Sequence, residues 1–263
     1  MAEKNNQGIE LVKAGVNVLG QFYQDLAQPS VKALGQALAI VFELCPNSLL
    51  SLRLWTEKRK SNFAKRLNEY KDKLEQIPEE KRCEVETQIG TPIVERLTYT
   101  TNDEIADLFT TLLANASNID TVNRAHPAFI DIIGRMTPDE ARILSALKGE
   151  SYLPFCEIRA KSANGYTIIE SHLTALRFDL KLDFPKNVGA YLSNLTSLGI
   201  FRANNDMWIQ LNTEDYDRMC KLYDLEEIKK TLVPDICEDV ITKRDFLTVT
   251  PFGKLFIQAC IKD

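Results

Sequence analysis

The stretch His126–Leu144, HPAFIDIIGRMTPDEARIL, divides this chain into two halves of different pattern. Thr137-Pro138-Asp139-Glu140 reads as a helix start. Thr137 suits the N-cap, Pro138 the first helical position, and Glu140 stands three residues after the cap, where it closes a capping box. Just upstream, His126-Pro127 imposes extended or turn backbone ahead of Phe129, Ile130, Ile132 and Ile133, so another helix begins near Pro127. Upstream of this stretch the chain shows long helical spacings and no strand signal; downstream it alternates helix and strand signals. The expected fold class is mainly α with a smaller α+β part. An N-terminal helical bundle with amphipathic N-terminal helices occupies residues 1–136, and a winged-helix-like α+β domain occupies residues 137–263.

At 263 residues, 44% of them hydrophobic, the chain is long enough to bury one large core or two small ones. Its net charge of −5 argues against a dedicated nucleic-acid binder. Cys45, Cys83, Cys156, Cys220, Cys237 and Cys260 form no CxxC pair, and His126 and His172 are the only histidines. That usage fits free thiols in a reducing cytosol, with no structural zinc and no cofactor expected. The opening MAEKNNQGIE is polar and has no signal-peptide core, so a cytoplasmic location is expected. The most apolar region, Val31–Trp55, is interrupted by Glu43 and Arg53 and falls short of the roughly 20 apolar residues a membrane span needs.

Three N-terminal segments carry apolar residues at helical spacing. Ile9, Val12, Val16, Leu19, Tyr23 and Leu26 form the first stripe, and Val31, Leu34, Leu38, Val41 and Cys45 the second. The third segment runs from about Ser48 to Gln76 and places Phe63, Leu67, Tyr70 and Leu74 on one face, continuing to Ile77. Such stripes suit packed antiparallel helices, and the last four residues are the candidate helix-assembly stripe. The small residues Ala33, Gly35, Ala37 and Ala39 would permit close helix approach. Between Arg53 and Lys73, eight basic residues face only Glu57, Glu69 and Asp72, a local net charge of +5. Arg53, Lys58, Arg59, Lys60, Lys65 and Arg66 are therefore the candidate contact for an anionic membrane surface or a partner, the plainer alternative being a solvated helix face. Further helices are expected over about Glu79–Gln88, from Pro92, and from an Asn102 cap with Ile105, Leu108, Phe109, Leu112 and Leu113 inward.

In the second half, Phe155–Ala160 and Tyr166–Ile169 read as strands joined at Asn164-Gly165. Pro185 opens a helix with Val188, Tyr191, Leu192, Leu195 and Leu198 inward, ended by Gly199 as a C′ glycine. Ile200–Ala203 and Met207–Leu211 flank Asn204-Asn205-Asp206 as a second hairpin. Phe246–Thr250 reads as a strand, and Pro251-Phe252-Gly253 leads into a terminal helix. Helices followed by a two-stranded wing are the winged-helix layout. Its recognition helix, Pro185–Ser197, offers Lys186 as its only cation, and residues 137–263 hold 16 basic against 19 acidic residues. Sequence-specific nucleic-acid binding is therefore not expected. Two small constellations deserve note. His126 reads as a residue that caps or packs at a helix start. Glu157, Glu170 and His172 could hold a metal only if strand pairing brought them together.

Several short stretches together resemble the bacterial abortive-infection alpha family. They are Tyr23-Gln24-Asp25 with Gln28-Pro29 and Leu34-Gly35, Asp107-Leu108-Phe109 with Leu112-Leu113-Ala114, and His126-Pro127-Ala128-Phe129-Ile130 leading into Thr137-Pro138-Asp139-Glu140-Ala141. A weaker likeness continues through Asn194-Leu195 and Leu198-Gly199. The resemblance implies an antiphage role, with no catalytic centre to carry over. The expectation is a non-enzymatic defence protein acting as a homo-oligomer, through a partner protein, or by peripheral membrane contact when activated. The alternative is a winged-helix DNA-binding regulator.

Overall fold

The computed structural model describes residues 57–163, 165–203, 213–224, 227–228, 230 and 239–261. The first two stripes, the small-residue face, Arg53 and the strand expected at Met207–Leu211 lie outside the described residues. Among the described residues helices dominate, with one four-stranded antiparallel sheet. Two compact units are present. One takes the described residues up to Arg135 together with Ala259–Ile261; the other runs from Met136 to Gln258.

The first unit is helical: α1 (Glu57–Glu75), α2 (Thr87–Leu97), α3 (Asp103–Ala116) and α4 (Ala128–Gly134). Helix α3 is its centre. Asn102 caps it by accepting from the Ile105 amide at 3.0 Å, and Asp103 and Glu104 sit at the positive end of its dipole. From Leu108 to Ala114 every residue is buried, as a helix surrounded by others must be. Helices α1, α2 and α4 all pack on it. Helix α4 begins where expected, and His126 is the reason: its Nδ1 accepts the Ala128 amide at 3.1 Å while its ring lies against Phe129.

Two expectations in this unit need correction. Residues 79–88 do not form a helix of their own, and Thr87 and Gln88 already belong to α2. Only Glu79–Lys81 form a 3-10 turn, because the next residues bond to the end of α3 instead: the Cys83 amide donates to Ser117 O and the Ile119 amide to Lys81 O, both at 2.9 Å. Nor does Pro92 begin a helix; it lies inside α2, five residues after the start at Thr87. The apolar set Ile89, Ile93, Val94 and Leu97 carries the helix through the proline, since its burial outweighs one missing backbone bond.

The second unit holds α5 (Pro138–Ala146), β1 (Tyr152–Ser162), β2 (Gly165–Leu173), the single turn α6 (Leu176–Asp179), α7 (Val188–Ser197), β3 (Phe201–Ala203), α8 (Thr213–Leu222), β4 (Asp239–Val249) and α9 (Pro251–Cys260), whose last two residues belong to the first unit. The sheet order is β2-β1-β4-β3. Ser162 pairs with Gly165, as a tight hairpin at the expected place requires, and a bulge shifts the register between Ile158 and Arg159. Strand β4 is more than twice as long as Phe246–Thr250 suggested and pairs with β1 from Tyr152↔Thr248 to Lys161↔Asp239. Its first half was illegible because Lys243, Arg244 and Asp245 break the apolar pattern; Lys243 and Asp245 pair with each other at 3.3 Å. Helix α8 packs on β1, with Tyr216 and Met219 meeting Cys156, Ile158 and Leu173 in one cluster.

Helix α7 ends in a Schellman motif. The Ile200 amide donates to Leu195 O and the Gly199 amide to Thr196 O, both at 3.0 Å, with Gly199 at φ +79°. The same corner receives α9. Thr250 caps it, accepting the Gly253 amide at 2.8 Å and donating to Gly199 O at 2.6 Å. A Cβ on Gly253 would lie 2.3 Å from Ile200 O, so only glycine lets the α9 backbone approach this closely. Gly253→Ala is expected to cost about 1–3 kcal/mol of stability by overpacking. Urea unfolding checks this, and an unchanged midpoint would contradict it.

Candidate functional site

The basic segment of α1 is built differently from its sequence reading. Lys58, Arg59 and Lys60 lie in the first turns of α1. Lys65 is exposed but bonded to Asp103 Oδ1 at 2.8 Å. Arg66 is fully buried and is corrected from surface contact to core: it grips Glu69 at 2.9 and 3.1 Å, Thr101 O at 3.0 Å and Asp103 Oδ1 at 2.6 Å. Lys73 Nζ donates to Asp107 Oδ1, Thr110 Oγ1 and Thr111 Oγ1 at 2.6–2.8 Å. These cations face the acidic first turns of α3, so they dock α1 instead of presenting charge outward. The stripe Phe63, Leu67, Tyr70 and Leu74 is likewise buried within the chain, with Tyr70 Oη 2.7 Å from Ser117 Oγ. It is core, not a free assembly face. Leu67→Ala should therefore cost about 2–5 kcal/mol, by the same amount at low and high protein concentration. A penalty that grows on dilution would show that the stripe works between subunits.

In the second unit the histidine–glutamate grouping is not assembled as a ligand set. Glu157 pairs with Arg159 at 2.6 Å, and His172, at φ +57°, stacks on Phe155 with ring centres 4.8 Å apart. Burial lowers the His172 pKa. Among the described residues no group of three or more His, Cys, Asp or Glu could hold a metal ion.

The most constructed polar feature is the start of α5. The Thr137 capping box is closed in both directions, with the Glu140 amide 3.3 Å from Thr137 Oγ1 and the Thr137 amide 2.6 Å from Glu140 Oε2. Both carboxylates at this helix start are buried, Asp139 to 2% exposure. Glu140 also accepts Asn194 Nδ2 from α7 at 2.7 Å. Asp139 takes the Asp183 amide on Oδ1 at 2.8 Å, and on Oδ2 the Phe184 amide at 2.9 Å and the Tyr191 hydroxyl at 3.0 Å. Arg142 bridges Asp139 and Asp183 at 2.9 and 3.0 Å. Burial alone would raise the Asp139 pKa; the two amides, Tyr191 and Arg142 outweigh it and hold the carboxyl below the usual range. Burial and the bond to Asp139 push the Tyr191 hydroxyl up.

What this carboxylate holds is the end of the segment Leu176–Phe184, through the amides of Asp183 and Phe184. Phe184, whose amide it grips, is 65% exposed, and Phe178 is also exposed. Arg177 lies 5.7 Å from the Phe178 ring centre and 5.6 Å from that of Tyr223, and the two rings meet edge to face at 5.1 Å. Arg218 of α8 makes a bidentate pair with Asp179. The result is a short segment held at Asp179 by Arg218 and at Phe184 by Asp139, with the Phe178 and Phe184 rings exposed and Arg177 beside Phe178, residue types that anchor protein contacts. The sequence reading missed it, since LRFDLKLDF has no strong periodicity. Its one signal was Asp139, taken only as a helix-start residue. A second exposed apolar run, Tyr166, Ile168 and Ile169, lies on the edge strand β2.

The family model of abortive infection alpha matches residues 56–260, and the chain belongs to that family. No curated protein was found to match it. Among solved structures, an uncharacterized protein from the hydrocarbon-degrading marine bacterium Alcanivorax borkumensis SK2 is similar at 19% identity, over 51% of this chain and 93% of that one, with a TM-score of 0.35. Among the described residues no helix is long and apolar enough to cross a membrane.

Asp139→Asn should cost about 1–3 kcal/mol at neutral pH by weakening a charged acceptor with four partners. Because the folded carboxyl titrates below the unfolded value of about 3.9, its contribution is present above that pH and is lost as pH falls through the folded value. Urea midpoints of wild type and variant should thus converge in acid. Parallel midpoints across the acid range would contradict the assignment.

Proposed function

We propose that this chain serves abortive-infection-type antiphage defence in the cytoplasm by binding a partner protein through Leu176–Phe184, without catalysis of its own. The observation that carries the reading is the buried Asp139 carboxylate spent on fixing a segment whose aromatic side chain is left in solvent. Desolvating a carboxylate costs several kcal/mol unless donors replace its water. Tyr191 uses part of that carboxylate to dock α7, and the amides of Asp183 and Phe184 use the rest to fix a segment that leaves Phe184 in solvent. Preorganised aromatic anchors lower the entropic cost of binding. Family membership supports the defence setting.

In this proposal the second unit is a winged-helix-like scaffold used for protein contact. The α7–β3 corner and the antiparallel β3–β4 pair are consistent with that layout. Helix α7, VGAYLSNLTS, carries no basic residue, which disfavours DNA as its ligand. Membrane contact through α1 loses support for the same electrostatic reason, since Lys65, Arg66 and Lys73 are already held by acids.

The test is phage challenge of bacteria carrying the gene with its immediate neighbours. Wild type should lower plaquing efficiency, and a Phe178→Ser/Phe184→Ser double variant should lose most of that protection while unfolding at the wild-type urea midpoint. Absence of protection by the wild type removes the defence reading. Full protection by the folded variant removes the proposed contact.

A further inference from the structure

Residues 176–186, LRFDLKLDFPK, carry charges of both signs, but the acids and the cations among them are not in the same state. Asp179 is held by two guanidinium nitrogens of Arg218 from α8, and Asp183 by Arg142 from α5 at 3.0 Å. Each acid is thus neutralised by an arginine of another helix. The cations have no such counterpart. Among the described residues no carboxylate pairs with Arg177, Lys181 or Lys186, and both lysines are exposed. The segment therefore shows positive charge interleaved with the exposed Phe178 and Phe184 rings.

Arg177 is the most organised of these cations. Its guanidinium carbon lies 5.7 Å from the Phe178 ring centre and 5.6 Å from that of Tyr223. Tyr223 is itself fixed, donating its hydroxyl to Thr174 O at 2.9 Å. The rings attract the cation and restrict its rotamers, so less entropy is lost when its N–H groups close on a planar acceptor. A carboxylate is the acceptor that matches this fork.

We infer that the segment takes an acidic peptide of its partner protein, one in which carboxylates alternate with apolar side chains. The carboxylates seat on Arg177, Lys181 and Lys186, and the apolar side chains pack on Phe178 and Phe184. The inference rests on the partner-binding function proposed above and names the chemistry of that partner. A single-stranded nucleic acid also uses cations beside aromatic rings. It is disfavoured here by α8, which joins the segment through the Arg218–Asp179 pair and carries Glu214 and Asp215 in its first turn. A phosphate backbone needs a continuous run of cations, whereas a peptide can place its carboxylates singly.

The test uses an array of peptides in which glutamate content varies independently of leucine and phenylalanine content, probed with labelled full-length protein. Signal is expected to rise with glutamate content among peptides that also carry leucine or phenylalanine, and to fall as salt is raised. In fluorescence-anisotropy titrations of the strongest acidic peptide, Arg177→Gln should bind about tenfold more weakly and Lys181→Gln about threefold, both with the wild-type urea midpoint. Lys181 is exposed, so its variant still decides the matter if Arg177→Gln fails to fold. Arg124→Gln, exposed in the first unit, should bind as wild type does. Signal that ignores glutamate content or follows lysine content, or wild-type affinity in the folded variants, would overturn the inference. So would displacement of the peptide by a single-stranded DNA oligonucleotide at lower concentration than by unlabelled peptide. The array involves no phage, so the two readings fail separately. Loss of protection by the Phe178→Ser/Phe184→Ser variant beside an array without glutamate dependence keeps the contact and removes its acidic ligand. Full protection by that variant beside a glutamate-dependent array keeps the peptide site and removes its part in defence.

Discussion

A carboxylate taken out of water must find donors to replace its hydration, and in the second unit that requirement falls on Asp139. It sits in the first turn of α5, where the helix dipole favours negative charge, and the Thr137 capping box fixes its backbone. Its oxygens then order parts of the chain more than 40 residues away: the amides of Asp183 and Phe184 and the hydroxyl of Tyr191 on α7. Beside it, Glu140 closes the cap with one oxygen and holds Asn194 with the other. Four residues of sequence thus start a helix, dock α7, and set the conformation of an exposed segment.

The opposite electrostatic arrangement shapes the first unit. There the cations are inward and the acids lie at the rim, with Arg66 and Lys73 of α1 reaching the start of α3. A buried guanidinium with carboxylates and a backbone carbonyl around it contributes specificity of docking more than net stability. The Phe63–Leu74 stripe supplies the burial. A run of positive charge in the sequence therefore says little about the surface until the position of the acids is known.

Much of the fold was legible because local and long-range preferences agree. The helix starts at Asn102, Pro127 and Thr137, the hairpin between β1 and β2, and the glycine stop at Gly199 all follow from residues whose partners lie within a few positions. What escaped depended on distant partners. Residues 81–83 bond to 117–119 in place of a helix, and β4 extends through charged residues because β1 offers it a complete partner. Helix α8 shows only Tyr216 and Met219 as an inward pair, too short a stripe to stand out. The contact segment was invisible for the same reason: nothing in Leu176–Phe184 announces that Asp139, far back in the chain, will hold its end.

Coupling of the start of α5 to α7 through Asp139 is measured most directly by a thermodynamic double-mutant cycle. Unfolding free energies would be compared for wild type, Asp139→Ala, Tyr191→Phe and the double variant. Groups sharing a buried hydrogen-bond network couple by about 0.5–3 kcal/mol, and a value of about 1 kcal/mol or more is predicted here. Additivity within about 0.3 kcal/mol, as for distant independent sites, would contradict the account.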